Sequence, residues 1–157
     1  MKITLLVIGK TDAEYLKTGI EEYAKRLKHY ISFELKVVPA LKQTKNLSEM
    51  QQKQKEGELL LAQTSNGDSI ILLDENGKHD NSVGFSKFIE TNMVNGTRNL
   101  IFMIGGPYGF SDEVYQRSTG KVSLSLMTFS HQMVRLIFVE QLYRAMTIIK
   151  GEPYHHQ

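Results

Sequence analysis

The chain has 157 residues, no cysteine and a formal net charge of +2 at pH 7, with 41% hydrophobic and 23% charged residues. This length fits one α/β domain with its own core, and the missing cysteines exclude disulfides, thiolate nucleophiles and cysteine-ligated metals. No apolar run reaches the roughly 20 residues that cross a bilayer, so we expect a cytoplasmic protein. The mild basicity permits an RNA partner without indicating one.

The first half of the chain alternates between strand and helix patterns. Apolar runs predict strands, and apolar residues spaced by three and four predict helices. The predicted elements are a strand over 2–8, an amphipathic helix over 12–28, a strand over 33–37 that stops before a proline, and a charged helix from 48 to about 66. Ser48 with Gln51 has the spacing of a capping box, which marks the start of that second helix.

The second half begins with two fully apolar strands. Ser69 to Leu73 and Leu100 to Ile104 have the composition of central parallel strands covered on both faces. After the first strand we predict a turn over 75–78 and a helix that Ser82 caps and that ends at Asn95-Gly96. After the second strand we predict a short helix that Ser111 caps and that ends near Arg117. Five strand–helix pairs in succession predict one α/β domain over 1–157, with a mostly parallel sheet and helices on both faces.

The segment 121–144 combines a strand, a polar loop and a helix. Alternation at Val122, Leu124 and Leu126 predicts a short strand, and helical spacing begins at Met133 and continues to residue 149. This last helix is apolar around most of its circumference. A small monomer can bury only part of such a helix, so we expect half of it to pack on the core and half to form a homodimer interface.

Charged side chains interrupt the apolar surface of this helix. Glu140 and Arg144 form a favourable i,i+4 pair, and Arg135 lies on the opposite side from Arg144. His131 and Arg135 are also four residues apart, and we expect them to share a face at the start of the helix. There they could bind a phosphate or orient a base.

A ligand site is expected where the strands end. Ligands of open α/β sheets bind beyond the carboxyl ends of the strands, which here are Leu73-Asp74, Gly105-Gly106 and 126–129. Neither the P-loop nor the dinucleotide fingerprint is present, which favours a nucleoside-type ligand over a triphosphate. The five histidines lack metal-ligand spacing, so we expect no metal site.

Several motifs together resemble the RlmH family, SPOUT-class methyltransferases of pseudouridine in large-subunit ribosomal RNA. The matching residues are Leu73-Asp74 with Gly77-Lys78, Ile104-Gly105-Gly106-Pro107-x-Gly109, Leu124-Ser125-x-Met127-Thr128-Phe129-x-His131-Gln132-x-x-Arg135, Glu140-Gln141-Leu142-Tyr143-Arg144-Ala145 and Pro153-Tyr154-His155. The resemblance runs from Met1 to the end of the chain. It implies a C-terminal trefoil knot and an obligate dimer packed through the last helix, in which each site is completed by the partner.

The resemblance also implies the ligands and the residues that hold them. S-adenosylmethionine would bind in the knot, and the substrate would be N3 of a pseudouridine in the 23S rRNA of the assembled ribosome. The implied cofactor residues are Leu73, Gly105, Leu124, Ser125, Leu126, Met127, Thr128 and Phe129. The candidates for substrate contact and proton handling are His131, Arg135, Tyr154 and His155.

Two other functions are compatible with the same residues. One is a non-catalytic protein of the same fold that binds RNA or the ribosome, and the other is a SPOUT methyltransferase with a different RNA target. Binding of S-adenosylmethionine separates the first of these from an enzyme.

Overall fold

The computed structural model describes residues 1–156 and contains a five-stranded, fully parallel sheet in the order β2-β1-β4-β3-β5. The strands are β1 (Lys2–Ile8), β2 (Ser32–Val38), β3 (Ser69–His79), β4 (Asn99–Met103) and β5 (Gly120–Ser123). The helices are α1 (Glu14–Leu27), α2 (Glu49–Leu61), α3 (Ser82–Val94), α4 (Asp112–Arg117) and α5 (Met133–Lys150). The order of elements and the parallel α/β class confirm the sequence-based prediction.

The helices cover both faces of the sheet, as expected. Successive residues of a strand point to opposite faces, so Leu5 of β1 belongs to one hydrophobic cluster and Leu6 to the other. The larger cluster contains buried residues of α1, α3 and α5, including Phe138 and Met146. The smaller cluster packs α2 and α4 onto the other face. The domain therefore has three layers.

Strand β3 is longer than its apolar run. The turn predicted over 75–78 is wrong, because the strand continues to His79 and pairs twice with β5, through Leu73 and again through Lys78. The residues between these two points bulge out of the ladder. Gly77 permits this because a Cβ there would lie 2.6–2.8 Å from the backbone of Val122 and Ser123.

Strand β5, in contrast, is shorter than predicted. The strand ends at Ser123, so the expected continuation through Leu124 and Leu126 is wrong. The hydroxyl of Ser123 donates to the carbonyl of Ser125 at 2.8 Å, which turns the chain out of the sheet. Leu126 is 87% exposed in the resulting loop.

The predicted starts and ends of the helices agree with the structure only in part. The capping box of Ser48 and Gln51 is present at the start of α2, as predicted. That helix ends at Leu61, earlier than the predicted end near residue 66. The predicted cap of α3, Ser82, is wrong by one residue, because Ser82 is the first residue of the helix and the side chain of Asn81 caps it by accepting from the amide of Gly84. None of the helices within residues 1–156 is long and apolar enough to cross a membrane.

Candidate functional site

A cavity of about 500 Å³ lies at the carboxyl edge of the sheet. Because the strands are parallel, the bulge of β3 and the chain segments that follow β4 and β5 lie together at this edge. Their residues form the walls, together with Tyr115 of α4 and the start of α5. The size is within the range of small-molecule sites, about 300–1,000 Å³.

Glycines shape the wall that follows β4. The amide of Gly109, a residue with φ +81°, donates to the carbonyl of Gly106 at 3.1 Å and closes a tight loop. A Cβ on Gly105 would lie 3.1 Å from the backbone of Gly109, and one on Gly106 would overlap the carboxylate of Glu56. Packing within the loop and against Glu56 therefore requires glycine at both positions, and neither residue adds a side chain to the cavity wall.

The loop between β5 and α5 is held by its own polar side chains. Ser125 Oγ accepts a hydrogen bond from the amide of Met127 at 2.9 Å. Thr128 Oγ1 donates to Glu75 Oε2 at 3.1 Å, which ties this loop to the bulge of β3. The bulge and the loop thus form one continuous wall.

Two carboxylates give the cavity a negative wall. Asp74 and Glu75 both line it. Asp74 accepts hydrogen bonds from the hydroxyl of Tyr115 and from the amide of Asn76. Burial and then the bond to Asp74 raise the pKa of Tyr115 to about 12, so the phenol stays protonated and donates at neutral pH. Such a wall favours a ligand with a positively charged group.

The structure brings most of the cofactor residues implied by the resemblance to this cavity. All of them except Leu126 line it, namely Leu73, Gly105, Leu124, Ser125, Met127, Thr128 and Phe129. Leu126 points into solvent at the tip of the loop. The general rule that ligands bind beyond the carboxyl ends of parallel strands predicted this edge. The assignment of individual residues came from the family resemblance.

The structure separates His131 from Arg135. His131 is exposed, precedes α5 and lines the cavity. Arg135 does not line it and is only 1% exposed. The expected common face is therefore wrong, because the helix begins after His131 and Arg135 turns into the protein.

The guanidinium of Arg135 binds the end of β1. It donates to the carbonyls of Ile8 and Gly9 at 2.8 Å each and to Thr11 Oγ1 at 3.1 Å, and its Nε donates to the carbonyl of His131 at 3.2 Å. Burial lowers its pKa, and the carboxylate of Asp12 opposes that effect. In this chain Arg135 joins the start of α5 to the end of β1.

Tyr154 and His155 lie in a different cluster, on the outer side of α5. The Tyr154 hydroxyl bonds to Glu140 Oε1 at 3.1 Å, and the guanidinium carbon of Arg144 lies 4.8 Å from the centre of its ring. His155 Nδ1 is 3.3 Å from Arg144 Nη1. The predicted ion pair between Glu140 and Arg144 is present, and the hydrogen bond to Glu140 raises the pKa of Arg144. None of these residues lines the cavity of its own chain.

Sequence reasoning missed two groups beside the cavity. Tyr115 stands on a short helix and had no motif to mark it. Glu56 looks like one more charge on a polar helix, yet it is 4% exposed, and its Oε1 has no hydrogen-bond partner among the described residues. Burial raises its pKa. Within residues 1–156 no cluster of three or more histidine, aspartate or glutamate side chains is arranged to hold a metal ion.

Comparison with known proteins agrees with this geometry. A family model described as "Predicted SPOUT methyltransferase" matches residues 1–155. Similar proteins named "Ribosomal RNA large subunit methyltransferase H" occur in Flavobacterium johnsoniae and Christiangramia forsetii, each 60% identical over 157 residues and covering all of both chains. A protein of the same name in Bacteroides fragilis is 54% identical over the same length. The chain therefore belongs to the SPOUT methyltransferase family.

Proposed function

We propose that this methyltransferase transfers a methyl group from S-adenosylmethionine to N3 of a pseudouridine in the 23S rRNA of the assembled ribosome. The observation that carries the proposal is the cavity at the carboxyl edge, in a chain whose 54–60% identical relatives are named as methyltransferases of large-subunit ribosomal RNA. A cytoplasmic location follows from this substrate.

The cavity suits S-adenosylmethionine in size and in chemistry. The bare backbone of Gly105 and Gly106 allows an adenosine group to approach, and Leu73, Ile104 and Val134 supply apolar wall. The sulfonium and the ammonium group of this cofactor are positively charged, which complements the carboxylates of the β3 bulge. A nucleoside held by backbone groups also agrees with the absence of a P-loop.

The protein's main task is to position the reactants. When bound, the cofactor supplies an electrophilic methyl group. The chain must orient N3 in line with it and remove the imide proton of the base. His131 lies in the loop between β5 and α5, lines the cavity and has a titratable side chain. We assign it to substrate contact and proton handling. The buried position of Arg135 supports a positioning role for that residue.

We also propose a homodimer packed through α5. Met133, Ile137 and Ile148 repeat along the helix on the same side as the Glu140–Arg144 pair and are only partly buried by the chain itself. Packing these outer faces together would bring Tyr154 and His155 of each subunit toward the cavity of the other. The trefoil knot is part of the same proposal, and the match of the family model to residues 1–155 supports it.

Calorimetry with S-adenosylmethionine and a methylation assay test the proposal. The wild-type protein should bind the cofactor and methylate ribosomes from a strain that lacks this gene, at one pseudouridine. His131→Ala should lower the turnover while leaving cofactor affinity near the wild-type value. His29→Ala, an exposed histidine at the opposite edge, is the matched control.

Three outcomes would contradict parts of the proposal. Absence of binding at millimolar S-adenosylmethionine would leave a non-catalytic RNA-binding protein. Persistence of the N3 methyl group in rRNA of the deletion strain would mean a different RNA target. A monomer in sedimentation experiments, with full activity, would exclude the composite site.

A further inference from the structure

A second surface lies at the carboxyl edge, beside the cavity. The loops that follow β1 and β2 carry three exposed lysines, Lys10, Lys42 and Lys45. None of the three forms an ion pair in the described part of the chain. Tyr15, in the first turn of α1, is 67% exposed. We refer to these four residues as the basic ridge.

Direct contacts connect the ridge to the cavity. Gln132 Nε2 donates to the carbonyl of Lys10 at 3.1 Å, and Gln132 Oε1 accepts from the amide of Asp12 at 2.9 Å. Gln132 is the neighbour of His131, which lines the cavity. The β1–α1 loop that carries Lys10 is therefore fixed beside the place where the reacting base must lie.

The loop after β2 joins the ridge from the other side. A Cβ added to Gly9 would lie 3.5 Å from the Cβ of Ala40, so the two loops touch just before Lys42. The pairing of β1 with β2 holds them side by side. Lys45 follows in a short 3₁₀ helix over Thr44–Asn46.

Two acidic groups of the β1–α1 segment have cationic neighbours. Glu14 forms an ion pair with Lys17 at 3.7 Å. Burial lowers the pKa of the Arg135 guanidinium, and the nearby carboxylate of Asp12 opposes that effect. Arg135 also holds the carbonyls of Ile8 and Gly9, which makes the base of the ridge rigid.

From this arrangement we infer that the basic ridge docks the ribosomal RNA around the target nucleotide. The lysines neutralise backbone phosphates, and the ring of Tyr15 stacks on an unpaired base next to the one that enters the cavity. Three lysines without an ion pair among residues 1–156, at the same edge as an exposed aromatic ring, fit single-stranded RNA better than a protein surface. The inference rests on the proposed function, since it assigns the RNA contacts of that same site.

The test uses the full-length protein, S-adenosylmethionine and 70S ribosomes that lack the modification. Tyr15→Ala should raise KM for ribosomes by about 5- to 150-fold, the range expected for one lost base stack, with kcat and cofactor affinity unchanged. Tyr15→Phe keeps the ring and should remain near wild type. The double variant Lys42→Ala/Lys45→Ala should reduce the slope of log affinity against log salt by about 0.7 to 0.9 per phosphate contact.

A double variant at the opposite edge is the control for charge. Lys28 and Arg98 are exposed beyond the amino ends of the strands, and replacing both by alanine removes the same charge far from the cavity. If this control lowers ribosome affinity as much as the lysine pair of the ridge does, general electrostatics explains the binding and the inference is wrong.

Further readouts separate the inference from the proposed function. If the wild-type protein transfers no methyl group, the proposed function is wrong. Cosedimentation would still measure whether the variants of the basic ridge bind ribosomes more weakly than the wild-type protein. Unchanged KM and cosedimentation in the Tyr15→Ala and lysine variants would refute the ridge while leaving the activity intact. If Tyr15→Ala changes the sedimentation mass of the free protein, the ridge is an interface between chains and the inference is also wrong.

Discussion

Replacing Arg135 by alanine should destabilise the fold before it affects chemistry. The side chain is 1% exposed and makes four hydrogen bonds, three of them to main-chain carbonyls. Alanine would leave the carbonyls of Ile8 and Gly9 without this donor. It would also leave a cavity between α5 and the end of β1.

The magnitude follows from the contacts. A hydrogen bond from a charged donor contributes about 1.5–3 kcal/mol after desolvation is counted, but the four bonds share one guanidinium and do not add. A loss equivalent to one or two such bonds predicts a decrease of about 3 kcal/mol in the free energy of unfolding. This is a large part of the roughly 5–15 kcal/mol of a typical domain.

Urea denaturation followed by circular dichroism measures this decrease. Arg117→Ala is the matched control, because Arg117 also donates to main-chain carbonyls, those of Ser65 and Asp68, but is only partly buried. It should lose about 1 kcal/mol or less. If Arg135→Ala unfolds within 1 kcal/mol of wild type and yet loses its turnover, Arg135 acts on the substrate and the structural interpretation is wrong.

Three further predictions concern the elements around the cavity. Burial raises the pKa of Glu56 from its usual 4.5, so above pH 4.5 the native state holds a proton that the unfolded state releases. Stability should therefore fall as the pH rises from 4.5 through the raised native pKa. Glu56→Gln should flatten this dependence in urea titrations from pH 4.5 upward, and an unchanged slope would contradict it. Gly106→Ala places a Cβ against the Glu56 carboxylate and should weaken S-adenosylmethionine binding at least about tenfold by calorimetry, whereas Gly67→Ala, with open space around it, should not. Ser48→Ala removes the capping box and should lower the free energy of unfolding by about 1 kcal/mol with cofactor affinity unchanged. A measurable loss of cofactor affinity would contradict this prediction and link α2 to the cavity.

Local pattern was sufficient for the order of elements and for the edge that carries the cavity. Periodicity distinguishes strands from helices, and the fully apolar runs at 70–72 and 100–103 are buried central strands. The motif resemblance identified the family, which the comparisons confirm. The assignment of most cofactor residues to one cavity agrees with the structure, although their contact with the cofactor stays a prediction.

Long-range packing decided what the remaining side chains do. Arg135 reaches a carbonyl 127 residues away, and Glu56 lies behind a glycine loop on another element. The bulge of β3 exists because β5 pairs with it twice. Periodicity records which face of an element is buried, but it does not record which element lies opposite. In this chain the neighbour of Arg135 is the end of β1, and the arginine links α5 to that strand.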